Sequence, residues 1–127
     1  MYTITLSKFK GGVAATETTV QLSTLYALAG WRVLVVDTDP QGGATKRLLV
    51  GGSDNAPTLA DAVKAYVADR KNPAISLEHV IRTCVVRQDA RKKEFSVISV
   101  VPANRSLQDE ESNIGNMPVG RTKVLKR

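Results

Sequence analysis

The chain has 127 residues, of which 43% are hydrophobic and 24% charged, with a net charge of +6. That is enough for one globular domain with a real core. The single cysteine, Cys84, excludes an internal disulfide and suits a reducing, cytoplasmic setting; it reads first as a small buried apolar residue. No signal peptide or membrane-spanning run is visible, since the N-terminal apolar run covers only Tyr2 to Leu6. The positive charge suits nucleic acid or an acidic surface, and equally a fragment whose acidic counterpart lies elsewhere. Its basic residues are dispersed. The densest run, Arg87 to Lys93, also holds Asp89 and reads as a solvated hairpin or loop.

In chain order, Tyr2 to Leu6 alternates β-branched and apolar residues and predicts a first strand. A loop follows from Ser7 to about Ala15. A helix is expected from near Thr16 to Gly30, a natural C′ glycine. Its inward stripe would be Val20, Leu25, Leu28 and Ala29, flanked by Leu22 and Tyr26. Trp31 reads as a packing residue. Arg32 to Val36 is a continuous apolar run after its basic residue, which suits a parallel strand covered on both faces. It ends on Asp37, so an acidic segment falls at the carboxyl end of a strand, where open α/β sheets bind ligands.

Gly42 to Leu49 predicts a short helix and Gly51 to Pro57 a loop. Leu59, Val63, Tyr66 and Val67 have helical spacing after Thr58, an N-cap with Asp61 three residues on. Leu77 to Ile81 predicts another short helix, on which His79 is a surface or packing residue. Val85-Val86 is a short extension, and Phe95 to Val101 a third buried strand. Ser106 with Asp109 caps a last helix, while Gly115, Pro118 and Gly120 argue against a long one. Arg121 to Arg127 could open a further helix. The pattern predicts an α/β fold, a mostly parallel sheet flanked by helices.

Lys8 to Thr19 reads K-F-K-G-G-V-A-A-T-E-T-T. Strand, glycine turn and helix start are the parts of a phosphate cradle: glycines let the backbone approach, and helix N–H groups point at the anion. Lys10-Gly11-Gly12-Val13 with Thr16 resembles the deviant Walker A loop of the ParA/MinD partition ATPases, whose usual form is K-G-G-V-G-K-T-T. Val33 to Gly42, V-L-V-V-D-T-D-P-Q-G, resembles that family's V-L-x-x-D-x-D-P-Q-G segment. Weaker likenesses run through Thr58 to Val63 and Val101 to Asn104. The resemblance spans nearly the whole chain, but only about the N-terminal half of a typical member. It implies one ParA-like P-loop domain over residues 1–127, truncated on its C-terminal side. The family's Walker B-type strand, which lies between the first two strands in space, has no counterpart. The gap implies either direct pairing of Tyr2–Leu6 with Arg32–Val36 or completion by a second chain.

The resemblance also implies roles. Lys10 would reach a partner subunit's phosphates, and Asp39 would orient the attacking water. Gly11, Gly12, Val13, Ala14, Ala15, Thr16 and Thr18 would line the nucleotide. Thr16 and Asp37 would serve Mg²⁺ and its water shell, with ATP as the nucleotide. Expected partners are a homodimer or larger assembly, a ParB-like protein, and DNA bound without sequence preference. Plainer readings stand beside these: Thr16 as a helix N-cap, Lys10 as an exposed lysine at a turn, Asp37 and Asp39 as a polar loop.

Two departures matter. Ala14-Ala15 stands where the family has Gly-Lys, so the lysine's charge-assisted bond, worth about 1.5–3 kcal/mol, is missing. Ala14 also adds a Cβ where the turn needs a glycine conformation. Glu17 places negative charge close to the phosphates. The implied function is a degenerate ParA-like protein of plasmid or chromosome partition, or cargo positioning, with weak or no ATP hydrolysis. The alternative is a catalytically silent interaction protein that keeps the fold for self-assembly.

Overall fold

Residues 1–7, 14–50, 56–89 and 94–116 are described by a computed structural model. Three β-rich segments form the sheet: β1 (Val33–Val36), β2 (Arg82–Asp89) and β3 (Glu94–Val101), in spatial order β1-β3-β2. β1 runs parallel to β3, with Val33 opposite Ile98 and Val36 opposite Val101. β2 runs antiparallel to β3 and stays paired to Asp89 opposite Glu94, with a register shift between Val85 and Arg87. The α/β class is as expected, with an antiparallel strand added on one edge of the parallel pair.

Strand alternation divides the side chains between two faces. Val33, Val35, Ile98, Val100, Cys84 and Val86 form one face, packed with Val20 and Ala27 of α1 (Ala15–Leu28) and Leu48 of α2 (Gly43–Leu48). Ile98 and Val100 are fully buried, each burial being worth about 1.5–3 kcal/mol. Among the described residues the opposite face is covered near Val101, by Ala62 of α3 (Leu59–Ala68) and Val80 of α4 (Leu77–Val80). α5 (Ser106–Asn116) docks through Leu107 onto Ala60 and Ala103. Leu34, Val36, Val85, Phe95 and Val97 remain exposed.

Helix ends follow local chemistry. Gly30, at φ +87°, is the C′ residue of α1. Its N–H donates to the Ala27 carbonyl at 3.1 Å and the Trp31 N–H to that of Tyr26 at 3.0 Å, a Schellman closure. The Asp61 carboxylate accepts the Thr58 N–H at 2.8 Å and the Thr58 hydroxyl at 3.0 Å, as the spacing predicts. In α4, His79 Nδ1 accepts the Ser76 N–H at 3.2 Å; the histidine is exposed.

Several expectations are corrected. Tyr2 to Leu6 is not a strand: the segment is exposed and outside the sheet, and it does not pair with β1. β-propensity fits a residue to a ladder but cannot supply the neighbouring strand. Instead Tyr2 meets Trp31 edge to face at 6.4 Å, and Trp31 meets Tyr26 the same way at 6.3 Å. Trp31 is thus a surface ring. The inward side of α1 is Val20, Ser23 and Ala27; Leu25, Tyr26, Leu28 and Ala29 face outward. Small residues let the helix lie close to the strands, while Leu25 and Leu28 on its outer face stay exposed and Tyr26 meets only the Trp31 ring among the described aromatic residues. Thr16 is not the N-cap, because α1 starts at Ala15 with Ala14 capping. Tyr66 is exposed, Val85-Val86 belongs to an eight-residue strand, Phe95 is exposed, and α5 runs through Gly115. The expectations on 51–55, 90–93 and 117–127 fall outside the described residues.

Candidate functional site

β1 ends in Val36, and the Asp37 N–H extends the parallel ladder to the Val101 carbonyl at 3.1 Å. This leaves the Asp37 carboxylate at the carboxyl end of β1, facing the start of α2. Gly42, the N-cap of α2, offers no side-chain acceptor. Asp37 supplies one from outside the helix: Oδ2 accepts the Thr45 N–H and the Thr45 hydroxyl, both at 2.8 Å, and Oδ1 accepts the Asp39 N–H at 3.1 Å. A carboxylate at a helix N-terminus satisfies orphan N–H groups and complements the dipole. The Thr45 hydroxyl also accepts the Ala103 N–H at 3.0 Å, tying α2 to the end of β3.

Two glycines permit this close approach. Gly42 sits at φ +60°, and a Cβ there would stand 3.0 Å from the Ala103 carbonyl oxygen. A Cβ on Gly43 would stand 2.7 Å from the Thr16 Oγ1. The first turn of α2 therefore gathers Thr16 from α1, Asp37 directly after β1 and Ala103 two residues after β3. Asp39 folds back into the same loop: its Oδ1 accepts the Gln41 N–H at 2.9 Å, and its carbonyl accepts the Gly42 N–H at 2.7 Å.

On the cradle side, Ala14 occupies the left-handed region at φ 53°, ψ 14°, as the missing glycine implied. Ala15 opens α1, Thr16 is half-buried and Thr18 exposed. Glu17 is bonded to Gln21 Nε2 at 2.9 Å and paired with Arg47 of α2. The Gln21 hydrogen bond, then the charge of Arg47, hold its carboxyl below the usual range. Lys10, Gly11, Gly12 and Val13 lie outside the described residues.

Thr45, Gly43 and Arg47 were not singled out from the sequence. The signal for Thr45 was indirect: a helix beginning Gly42-Gly43-Ala44 has no side chain to cap itself. Arg47 had no signal, because its partner Glu17 lies thirty residues away.

Among the described residues, no three His, Cys, Asp or Glu side chains converge as a metal cage. The Asp37 carboxylate already accepts three protein hydrogen bonds, out of about four acceptor positions. With the Thr16 hydroxyl nearby, this donor set fits an ion that keeps most of its waters, as Mg²⁺ does. Asn104 Oδ1, one residue past Ala103, is buried and has no hydrogen-bond partner among the described residues.

A family model described as an AAA domain matches residues 1–127. The chain is 31% identical over 114 residues to the chromosome partitioning protein ParA of Caulobacter vibrioides, covering 88% of this chain and 36% of that one. The fold is similar to that of apo McdA from Cyanthece (TM-score 0.62, 20% identity, 86% of this chain and 36% of that one). It is also similar to cobyrinic acid a,c-diamide synthase from Mycobacterium smegmatis with bound ADP and magnesium (TM-score 0.60, 25% identity, 87% and 38%). The chain thus spans little more than a third of the length of these proteins.

Proposed function

From the premise that this chain belongs to the AAA-domain family, in its ParA-like partition ATPase branch, we propose that it binds an adenine nucleotide with Mg²⁺ and acts in partition or cargo positioning, with little or no hydrolysis. One observation carries the reading. The first turn of α2 holds Asp37 through Thr45 and lies against the Thr16 hydroxyl at Gly43, so the hydroxyl and the carboxylate flank the same helical turn, beside the anion-attracting end of α1.

In this reading the residues preceding Ala14, with Ala14 and Ala15, carry the phosphates on backbone N–H groups. Thr16 and Asp37 orient the waters of the magnesium ion, Asp39 sits where a water would be held, and Lys10 serves a second subunit. Bound Mg²⁺ would neutralise phosphate charge. Ala15 offers no cation in place of the lysine, so transition-state charge is poorly matched while binding is hurt less. The bound ADP and magnesium in the cobyrinic acid a,c-diamide synthase support the cofactor assignment.

Titration of the protein with fluorescent ADP, with and without Mg²⁺, tests it. Binding that Mg²⁺ strengthens, and that Asp37→Asn or Thr16→Ala weakens, is expected; no binding at millimolar nucleotide overturns it. A second reading is favoured by the uncovered apolar residues Leu34 and Val36: a self-assembling protein in which nucleotide has no part. A ParB-like partner and DNA remain part of the first reading only.

A further inference from the structure

We infer that Thr45 makes the proposed ion site selective for Mg²⁺ over Ca²⁺, by closing one oxygen of the Asp37 carboxylate. The inference rests on the nucleotide reading above and names a specificity-determining residue of that same site.

An ionised carboxylate has about four acceptor positions, two on each oxygen. Thr45 fills both positions on Asp37 Oδ2, with its N–H and its hydroxyl, each at 2.8 Å. Oδ1 accepts the Asp39 N–H at 3.1 Å. The position left open by the described contacts therefore lies on Oδ1. The direction of the hydroxyl bond is fixed. The Ala103 N–H donates to the Thr45 oxygen at 3.0 Å, and the carboxylate has no proton to give, so the hydroxyl proton goes to Oδ2. Asp37 and Ala103 are both buried, which shields these bonds from competing water. The turn has no room to slide away from Asp37. A Cβ added at Gly42 would stand 3.0 Å from the Ala103 carbonyl oxygen, and one at Gly43 would stand 2.7 Å from Thr16 Oγ1.

An aspartate with one open position meets an ion through a single oxygen, directly or through a water. Mg²⁺ suits that arrangement, because it dehydrates reluctantly and takes few protein ligands at octahedral positions. Ca²⁺ takes about six to eight oxygens in flexible geometry and draws on bidentate carboxylates. Binding through both oxygens of Asp37 would break a Thr45 bond, a cost that falls on Ca²⁺ and not on Mg²⁺. Thr45 touches the carboxylate and not the ion, so it acts as a positioning residue.

The test is titration of the full chain with fluorescent ADP in Mg²⁺ or in Ca²⁺, for wild type, Thr45→Val and Thr45→Ser. Wild type should bind ADP tighter in Mg²⁺ than in Ca²⁺. Thr45→Val opens a position on Oδ2 and should lower that preference by about two- to tenfold, the factor that one ordinary hydrogen bond is worth. Thr45→Ser keeps the hydroxyl and should keep the preference. Any preference of ADP itself cancels, because the ratio is compared between proteins. A merely structural Thr45 would weaken binding in both ions alike. An unchanged ratio in Thr45→Val therefore overturns the inference and leaves the nucleotide reading standing. So does a Thr45→Ser ratio equal to that of Thr45→Val, or a wild type that binds equally in the two ions. No ADP binding by wild type in either ion overturns both. Thermal unfolding verifies each fold, and Thr45→Ala, which deletes the same hydroxyl with a smaller side chain, carries the comparison if Thr45→Val does not fold.

Discussion

Asp37 accepts two hydrogen bonds from Thr45, one from its backbone N–H and one from its hydroxyl, both at 2.8 Å. The same hydroxyl accepts the Ala103 N–H at 3.0 Å. One threonine thus joins the end of β1, the first turn of α2 and the end of β3. An aspartate that serves a nucleotide-linked ion in the proposed function is therefore also a structural cap. Substituting it removes both roles at once.

Thr45→Val keeps the shape and deletes the hydroxyl. The Ala103 N–H loses its acceptor, and an unsatisfied buried group costs about 1–3 kcal/mol. Urea denaturation should show a lower midpoint with an unchanged slope. An unchanged midpoint would mean that water replaces the hydroxyl at no cost.

Ala14→Gly should stabilise the protein. Ala14 holds φ 53°, where an L-residue is disfavoured by about 1–2 kcal/mol. Glycine's greater freedom in the unfolded chain offsets roughly 0.4–1 kcal/mol of that gain. A net gain of about 0 to 1.6 kcal/mol is expected from the same denaturation experiment. With Ala15→Lys added, ADP should bind several-fold tighter, as a charge-assisted contact returns.

The Glu17 carboxyl should titrate below its reference value of 4.5, because Gln21 and Arg47 favour the charged form. A depressed folded value means the pair's contribution is present above the unfolded value and is lost as pH falls through the folded one. Carbon-detected NMR titration of Glu17 should show this, and Arg47→Gln should move the midpoint back up. A midpoint that ignores Arg47→Gln and added salt would mean that the ion pair does not persist in solution.

Self-association should not need ATP. Among the described residues β1 is an edge strand, and it carries no charged residue; its Leu34 and Val36 side chains are about half exposed. Such an edge, beside an apolar face, invites a second chain. Light scattering over a dilution series should show dimers or larger species in nucleotide-free buffer, reduced by Leu34→Lys with Val36→Lys. A monomer at micromolar concentration, or a dimer seen only with ATP, contradicts this.

Local chemistry was legible from the residues alone. Gly30 at C′, Thr58 with Asp61, the helix after the cradle and the apolar run ending at Asp37 all depend on neighbours within a few positions, and each formed where its pattern places it. The need for a glycine at position 14 was likewise legible, because backbone sterics act on one residue at a time. What depended on distant partners was not. Leu25 and Leu28 have helical spacing as good as Ser23 and Ala27, but a helix lying on a sheet buries whichever side fits closest, and here the small residues fit. Tyr2 to Leu6 has the composition of a strand, yet a strand exists only as half of a ladder and no described neighbour pairs with it. Thr45 and Arg47 gained their roles from Asp37, Ala103 and Glu17, eight, fifty-eight and thirty residues away. Contacts of that span are made by the packing of α1, α2 and the sheet.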